Sequence, residues 1–87
     1  MDRLDYYYTK SFKNMRLLKY SGKCGCFFCK EIFNPKEIVG WVDVGLHGDN
    51  LGTAICPYCG MDSVLPEADG IIITDELLEK MKKRFFF

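Results

Sequence analysis

The sequence predicts one small α+β domain, in which short antiparallel strands pack against a single C-terminal helix. The chain has 87 residues, which is less than most domains contain. Its apolar segments are short and separated by turn-forming residues, and one amphipathic segment near the C-terminus carries helix signals. A core of this size buries only about 60% of the unfolded surface, so such domains usually contain a further cross-link. The five cysteines are the candidates for it.

Four of these cysteines form two C-x2-C pairs separated by 26 residues. Two thiolates at this spacing grip one side of a tetrahedral zinc ion from a tight turn, with Zn–S distances of about 2.3 Å, and two such turns complete the shell. The pattern predicts a zinc ribbon with one structural Zn²⁺ ion per chain, and its ligands are Cys26, Cys29, Cys56 and Cys59. Iron fits the same sulfurs, since C-P-Y-C-G resembles the second knuckle of rubredoxin.

The residue after each pair determines how well its turn forms. Gly60 follows Cys59 and adopts the left-handed conformation at no steric cost. Lys30 holds the same position after Cys29, where that conformation costs about 1–2 kcal/mol. A zinc ion with four thiolates carries a net charge of −2, which we expect Lys23, Lys30 and N–H···S hydrogen bonds to offset.

Two other side chains are alternative ligands. Cys24 can replace Cys26 through a C-x4-C spacing, but the shorter spacing matches the opposite pair and is preferred. His47 lies in a stretch of turn-forming residues that predicts an exposed loop.

Thiol redox chemistry is a weaker interpretation of the second pair. Its sequence, Cys56-Pro57-Tyr58-Cys59, is identical to the active-site tetrapeptide of glutaredoxins, where a helix begins at the reactive thiolate. No amphipathic helix follows Cys59 in this sequence.

The chain divides into three parts of one domain, namely a basic aromatic arm (1–23), the ribbon core (24–66), and a C-terminal helix with its tail (67–87). Asn34, Pro35 and Glu37 predict a capped helical turn, and segments 41–44 and 52–55 predict a hairpin that leads to the second knuckle. Trp41 in this hairpin is expected to cover the metal centre.

Val64 and Leu65 predict a third strand, which Pro66 ends. Thr74 predicts the cap of a helix that continues to Arg84. Its apolar stripe consists of Leu77, Leu78, Met81 and Phe85.

Charge is segregated although its formal sum is zero. Residues 1–36 carry eight basic and three acidic side chains, 37–79 carry nine acidic and no basic ones, and 80–87 carry four basic ones. The acidic middle suits a protein partner. The basic arm, together with Lys80, Lys82, Lys83 and Arg84, suits nucleic acid.

The last three residues are aromatic. We expect Phe85, Phe86 and Phe87 to pack in the chain's own core, with a homodimer through them as the alternative. No secretory signal and no apolar run long enough for a membrane span are present, which predicts a cytoplasmic protein with reduced thiols and no membrane contact.

Residues 26–65 resemble a family of small bacterial zinc-ribbon proteins described as cytoplasmic proteins. The matching motifs are Cys26-Phe27-Phe28-Cys29, Trp41-Val42-Asp43, Thr53-Ala54-Ile55-Cys56-Pro57-Tyr58-Cys59-Gly60 and Asp62-Ser63-Val64-Leu65. The resemblance implies a bacterial or phage origin and a structural metal, and it implies no activity. A longer loop at 45–52 and a longer basic arm are departures from that pattern.

The expected function is non-enzymatic, because four protein ligands leave zinc no position for water or substrate and no other catalytic motif is present. A protein-interaction or adaptor module is preferred. A nucleic-acid-binding zinc ribbon is the alternative, and thiol-redox or rubredoxin-like iron proteins rank below both.

Overall fold

The computed structural model describes residues 3–42, 52–68 and 70–86. Two short helices lead into a set of short strands, and a longer helix ends the chain. The elements are α1 Arg3–Thr9, α2 Met15–Lys19, β1 Cys24–Cys26, β2 Ile32–Phe33, a 3₁₀ turn Pro35–Glu37, β3 Gly40–Val42, β4 Thr53–Ile55, β5 Val64–Pro66 and α3 Asp75–Phe85. This architecture confirms the predicted α+β class with a C-terminal helix.

The strands form two antiparallel sheets. The first has the order β2-β1-β5, with Cys24 opposite Pro66 and Cys26 opposite Val64. The second pairs β3 with β4, with Trp41 opposite Ala54. The predicted hairpin and third strand are therefore present, and the third strand pairs with β1, the strand that ends at the first knuckle.

Neighbouring residues of β5 belong to two different apolar cores. Val64 belongs to a cluster that contains the cysteines, whereas Leu65 belongs to one that contains α3. The first cluster comprises Leu18, Cys24, Cys26, Phe33, Ile38, Ala54, Cys56 and Val64. The second comprises Phe27, Leu65, Ile71, Ile73, Leu78 and Met81. Because neighbouring residues of a strand point to opposite faces, the three-stranded sheet is the wall between the two cores.

The helix α3 begins and packs as its sequence predicts. Thr74 is its N-cap and accepts a hydrogen bond from the Leu77 N–H at 3.1 Å. Leu78 and Met81 are fully buried, which contributes about 1.5–3 kcal/mol each. The approach to the sheet is close at Gly25, where an added Cβ would lie only 2.9 Å from a Leu78 methyl group. The close packing of α3 on the sheet therefore requires a glycine between Cys24 and Cys26.

The N-terminal segment packs on the domain through its helices. Leu4 and Tyr7 of α1 lie against the second core, and the Tyr8 ring stacks on Phe85 with centroids 4.2 Å apart. Leu18 of α2 is buried in the first core. Helices of seven and five residues are too short to show a clear 3.6-residue period, and most of their stability comes from this packing.

Asn14, between α1 and α2, connects the two sheets. Its side chain is completely buried, its Nδ2 donates to the Val64 carbonyl at 2.8 Å, and its Oδ1 accepts from the Ala54 N–H at 3.1 Å. Nδ2 also donates to the Lys10 carbonyl at 3.0 Å. One amide thus satisfies polar groups of β4, β5 and the N-terminal segment.

The terminal aromatics pack within the chain as far as the structure describes them. Phe85 and Phe86 lie partly buried against the second core, and the rings of Phe86 and Phe28 meet edge to face at 4.9 Å. Phe87, His47 and the predicted strand residues Asp43 and Val44 lie outside the described residues. Within the described residues, no helix is both long enough and apolar enough to span a bilayer.

We expect Asn14→Ala to lower the free energy of unfolding by about 3 kcal/mol, because it leaves the Ala54 N–H and the Val64 carbonyl buried without partners. The matched control is Asn34→Ala, which removes an exposed cap of the 3₁₀ turn and should cost only about 1 kcal/mol. Urea titrations of the metal-loaded variants measure both values. Equal losses would show that the buried amide does not join the sheets.

Candidate metal centre

The two predicted knuckles face each other across the first core. The first follows β1, which ends at Cys26, and the second follows β4, which ends at Ile55. The four sulfurs of Cys26, Cys29, Cys56 and Cys59 all lie within 4.8 Å of one another. This is the one group of three or more potential ligands found in the described parts of the chain.

The sulfur spacings suit a tetrahedral ion. Cys26 Sγ lies 3.6 Å from Cys59 Sγ, and Cys29 Sγ lies 3.7 Å from Cys56 Sγ. A tetrahedron with Zn–S bonds of about 2.3 Å has edges of about 3.8 Å. A disulfide requires about 2.05 Å, so these sulfurs are too far apart to be bonded to one another. The four predicted cysteines are therefore positioned to hold one metal ion.

The backbones of the two knuckles correspond hydrogen bond by hydrogen bond. Lys30 N–H donates to the Cys26 carbonyl at 2.8 Å, and Gly60 N–H donates to the Cys56 carbonyl at 3.0 Å. Both donors have positive φ, 64° at Lys30 and 82° at Gly60. Lys30 thus takes the left-handed conformation that its side chain disfavours, and the two knuckles have the same form despite their different sequences.

The first cysteine of each knuckle accepts a hydrogen bond from the backbone N–H two residues further along. Phe28 N–H donates to Cys26 Sγ and Tyr58 N–H donates to Cys56 Sγ, both at 3.4 Å. Backbone hydrogen bonding from Glu31 and Met61 acts to lower the pKa values of Cys29 and Cys59, although burial outweighs it. Such N–H···S bonds stabilise negative charge on the sulfurs.

Ser63 adds a side-chain contact that the sequence analysis did not assign. Its hydroxyl lies 3.1 Å from Cys26 Sγ and is buried. In the sequence, Ser63 appears within the motif Asp62-Ser63-Val64-Leu65 and beside the third strand, and neither observation gives the serine a particular role. With a thiolate at Cys26, the hydroxyl is the donor of this bond.

Burial and hydrogen bonding act in opposite directions on the thiol pKa values. Burial raises the pKa of Cys59 to about 11 and raises that of Cys29 as well. Burial also acts to raise the pKa of Cys26, but the hydrogen bonds from Ser63 and from the Cys29 and Phe28 backbones outweigh it and lower the pKa. Because a metal binds thiolates, it must displace protons here, and its affinity falls as the pH falls.

The two lysines beside the first knuckle are paired with carboxylates. Lys30 Nζ forms an ion pair with Glu79 at 2.6 Å, and Lys23 Nζ lies 3.9 Å from Glu67. Both lysines expected to offset the sulfur charge thus have carboxylate partners, and the N–H···S bonds are the direct contacts to sulfur. Trp41 is half-buried and packs against the cysteine-containing core, and its expected position over the metal centre stays a prediction.

The Tyr58 hydroxyl donates to Glu37 Oε1, which ties the second knuckle to the 3₁₀ turn. This bond lowers the pKa of Glu37 and raises that of Tyr58. Glu37 also accepts the Asn34 N–H at 3.0 Å and completes the predicted capping box. The turn is therefore fixed at both ends beside the site.

Cys24 stands apart from the four clustered cysteines. It is fully buried, its Sγ lies 3.5 Å from the Phe33 carbonyl, and it does not belong to the metal-compatible group. Burial, followed by the neighbouring Cys56 and Glu37, raises its pKa to about 12. These observations agree with Cys26, rather than Cys24, as the ligand from β1.

The segment after Cys59 differs from a glutaredoxin active site. Gly60 closes the knuckle and β5 follows at Val64, whereas α3 begins only at Asp75. The second pair is therefore not followed directly by a helix N-terminus, and the pKa of Cys59 is raised rather than lowered. The geometry therefore favours metal binding over dithiol exchange.

Comparison of the chain with protein-family models, with curated proteins and with solved structures found no match. The resemblance to small bacterial zinc-ribbon proteins therefore stays a prediction.

We expect Cys26→Ser to reduce bound metal below one-tenth of an equivalent per chain, because the hydroxyl replaces one of four converging thiolates. Cys24→Ser, a matched change two residues away in the same strand, should retain a full equivalent. Metal analysis of both purified variants gives the answer. Full metal content in Cys26→Ser together with loss in Cys24→Ser would reverse the assignment.

Proposed function

We propose that this chain is a non-enzymatic zinc-ribbon domain that holds one structural Zn²⁺ ion and uses its surface to bind a protein partner. The near-tetrahedral spacing of the four cysteine sulfurs is the observation that supports the metal ion. Four protein ligands fill the coordination shell, so the ion has no position for a substrate or an activated water.

A structural role follows from what the ion would join. The first knuckle connects β1 and β2 of the three-stranded sheet, whereas the second connects β4 of the hairpin to β5. One ion bound to both therefore links the two sheets at the first core. In small domains of this kind, much of the apparent binding free energy of about 10–16 kcal/mol is folding free energy.

The ion pairs support a protein partner over nucleic acid. Arg84 forms two hydrogen bonds of 2.9 Å with the Asp5 carboxylate, and Lys80 and Lys83 pair with Glu76 and Glu79 one helical turn away. Much of the C-terminal basic cluster is thereby neutralised within the fold. A nucleic-acid site needs a continuous set of cations directed at phosphates.

The tyrosines of the N-terminal segment support the same preference. Tyr7 packs against the second core, and Tyr8 stacks on Phe85 at 4.2 Å. Rings used in this way are not available as a stacking platform for bases. Part of the basic and aromatic sequence that suggested nucleic acid is thus engaged within the domain.

Purified protein is expected to contain one zinc ion per chain, and a chelator should abolish most of its secondary-structure signal, because the core is small without the cross-link. Metal analysis and circular dichroism before and after chelation measure these effects, and added Zn²⁺ should restore the signal. Visible absorption bands of iron bound to sulfur would show that the metal is iron rather than zinc. An unchanged spectrum after complete metal removal would contradict the structural role.

A further inference from the structure

A groove of about 590 Å³ opens between α2 and the segment that carries the 3₁₀ turn and β3. Its apolar lining includes Met15, Leu18, Pro35 and Trp41. Leu18 is fully buried beneath it and belongs to the same core as the cysteines. The groove thus lies over the first core, and its volume is in the range of typical ligand sites.

The charged side chains that line the groove are both lysines, Lys19 and Lys36. Neither ammonium forms an ion pair with a described residue, whereas the ammonium groups of Lys23, Lys30, Lys80 and Lys83 do. No carboxylate lines the groove in the described part of the chain. The groove therefore presents uncompensated positive charge beside an apolar surface.

Two exposed apolar residues neighbour the lining residues in sequence. Tyr20 follows Lys19 and is 86% exposed, and Val39 lies two residues before Trp41 and is 89% exposed. An apolar centre with a charged rim is the usual anatomy of a protein-binding surface. The polar groups of Asn34 and Ser21 in the lining already bond within the chain, so the lysines are the available polar contacts.

We propose that this groove binds an acidic peptide segment that inserts a leucine or phenylalanine side chain against Leu18 and Trp41 and places carboxylates on Lys19 and Lys36. The inference rests on the proposed interaction role and names its surface and partner class. A single-stranded nucleic acid is less suited, because a base-binding site stacks bases on exposed ring faces along a basic track. This groove offers one half-buried indole and two cations.

Trp41 makes the site directly measurable, because it is the only tryptophan in the chain and lines the groove. The probes are three pools of twelve-residue peptides without tryptophan or tyrosine. One pool has Leu or Phe between Asp and Glu, a second has the same centre between lysines, and a third has Ala between Asp and Glu. We expect the first pool alone to shift Trp41 emission to shorter wavelength, with at least tenfold tighter binding than the others.

The double variant Lys19→Glu/Lys36→Glu should weaken binding of the first pool at least tenfold, and Lys19→Arg/Lys36→Arg should retain it, because charge rather than side-chain shape is used. The matched control Lys80→Glu/Lys83→Glu makes the same change in net charge on α3 and should leave binding within about twofold. Added salt should weaken the interaction, since the contacts are exposed ion pairs. Metal content measured on every variant verifies that the domain is intact.

Several results would overturn the inference. They are equal binding of the three pools, no emission change up to millimolar peptide, or unchanged binding by the charge-reversed variant. A shift of Trp41 emission by a mixed-sequence RNA dodecamer but not by the acidic pool would assign the groove to nucleic acid instead. Peptide binding without any change at Trp41 would reject the groove and leave the interaction role in place. Absence of a bound metal would instead contradict the zinc proposal, whatever the peptides do.

Discussion

Convergence of four cysteine sulfurs from two separate turns is the constraint on which this fold depends. The strands are only two or three residues long, and neither sheet is large enough to be stable alone. A cation bound to all four sulfurs would fix the end of β1 against the end of β4 and so determine how the two sheets face each other. The backbone N–H···S bonds at Cys26 and Cys56 favour this, because they stabilise thiolate charge that burial opposes.

A second, metal-independent connection acts at the other side of the same core. Asn14 bonds to β4 and β5 from within the N-terminal segment, and Lys13 N–H adds a bond of 2.8 Å to the Thr53 hydroxyl. The N-terminal residues are thus part of the domain rather than an appendage. They also form one wall of the groove, so the surface proposed for peptide binding depends on the same packing as the core.

Local chemistry made much of the site and several elements predictable from the sequence. Cysteine spacing identified the four clustered sulfurs, Gly60 indicated a left-handed turn, and Thr74 marked the start of α3, since each signal lies within a few residues of its effect. Pairing of β1 with β5 was not predictable, because it joins segments about forty residues apart and three-residue strands show no periodicity.

Other contributions depend on distant neighbours. Gly25 matters because Leu78 packs against its backbone, Asn14 because two sheets present polar groups to it, and Ser63 because Cys26 lies opposite. Nothing in the sequence around these residues distinguishes them from a strand glycine, a loop asparagine or a surface serine. The groove was likewise unpredictable, since its lining comes from three separate segments of the chain.

X-ray absorption at the metal edge of freshly purified protein is the decisive measurement, because it reports the ligand atoms themselves. We expect zinc surrounded by four sulfurs at about 2.3 Å and no nitrogen or oxygen ligand. A shell with fewer sulfurs, or with nitrogen or oxygen at about 2.0–2.1 Å, would show that the four cysteines do not close around one ion.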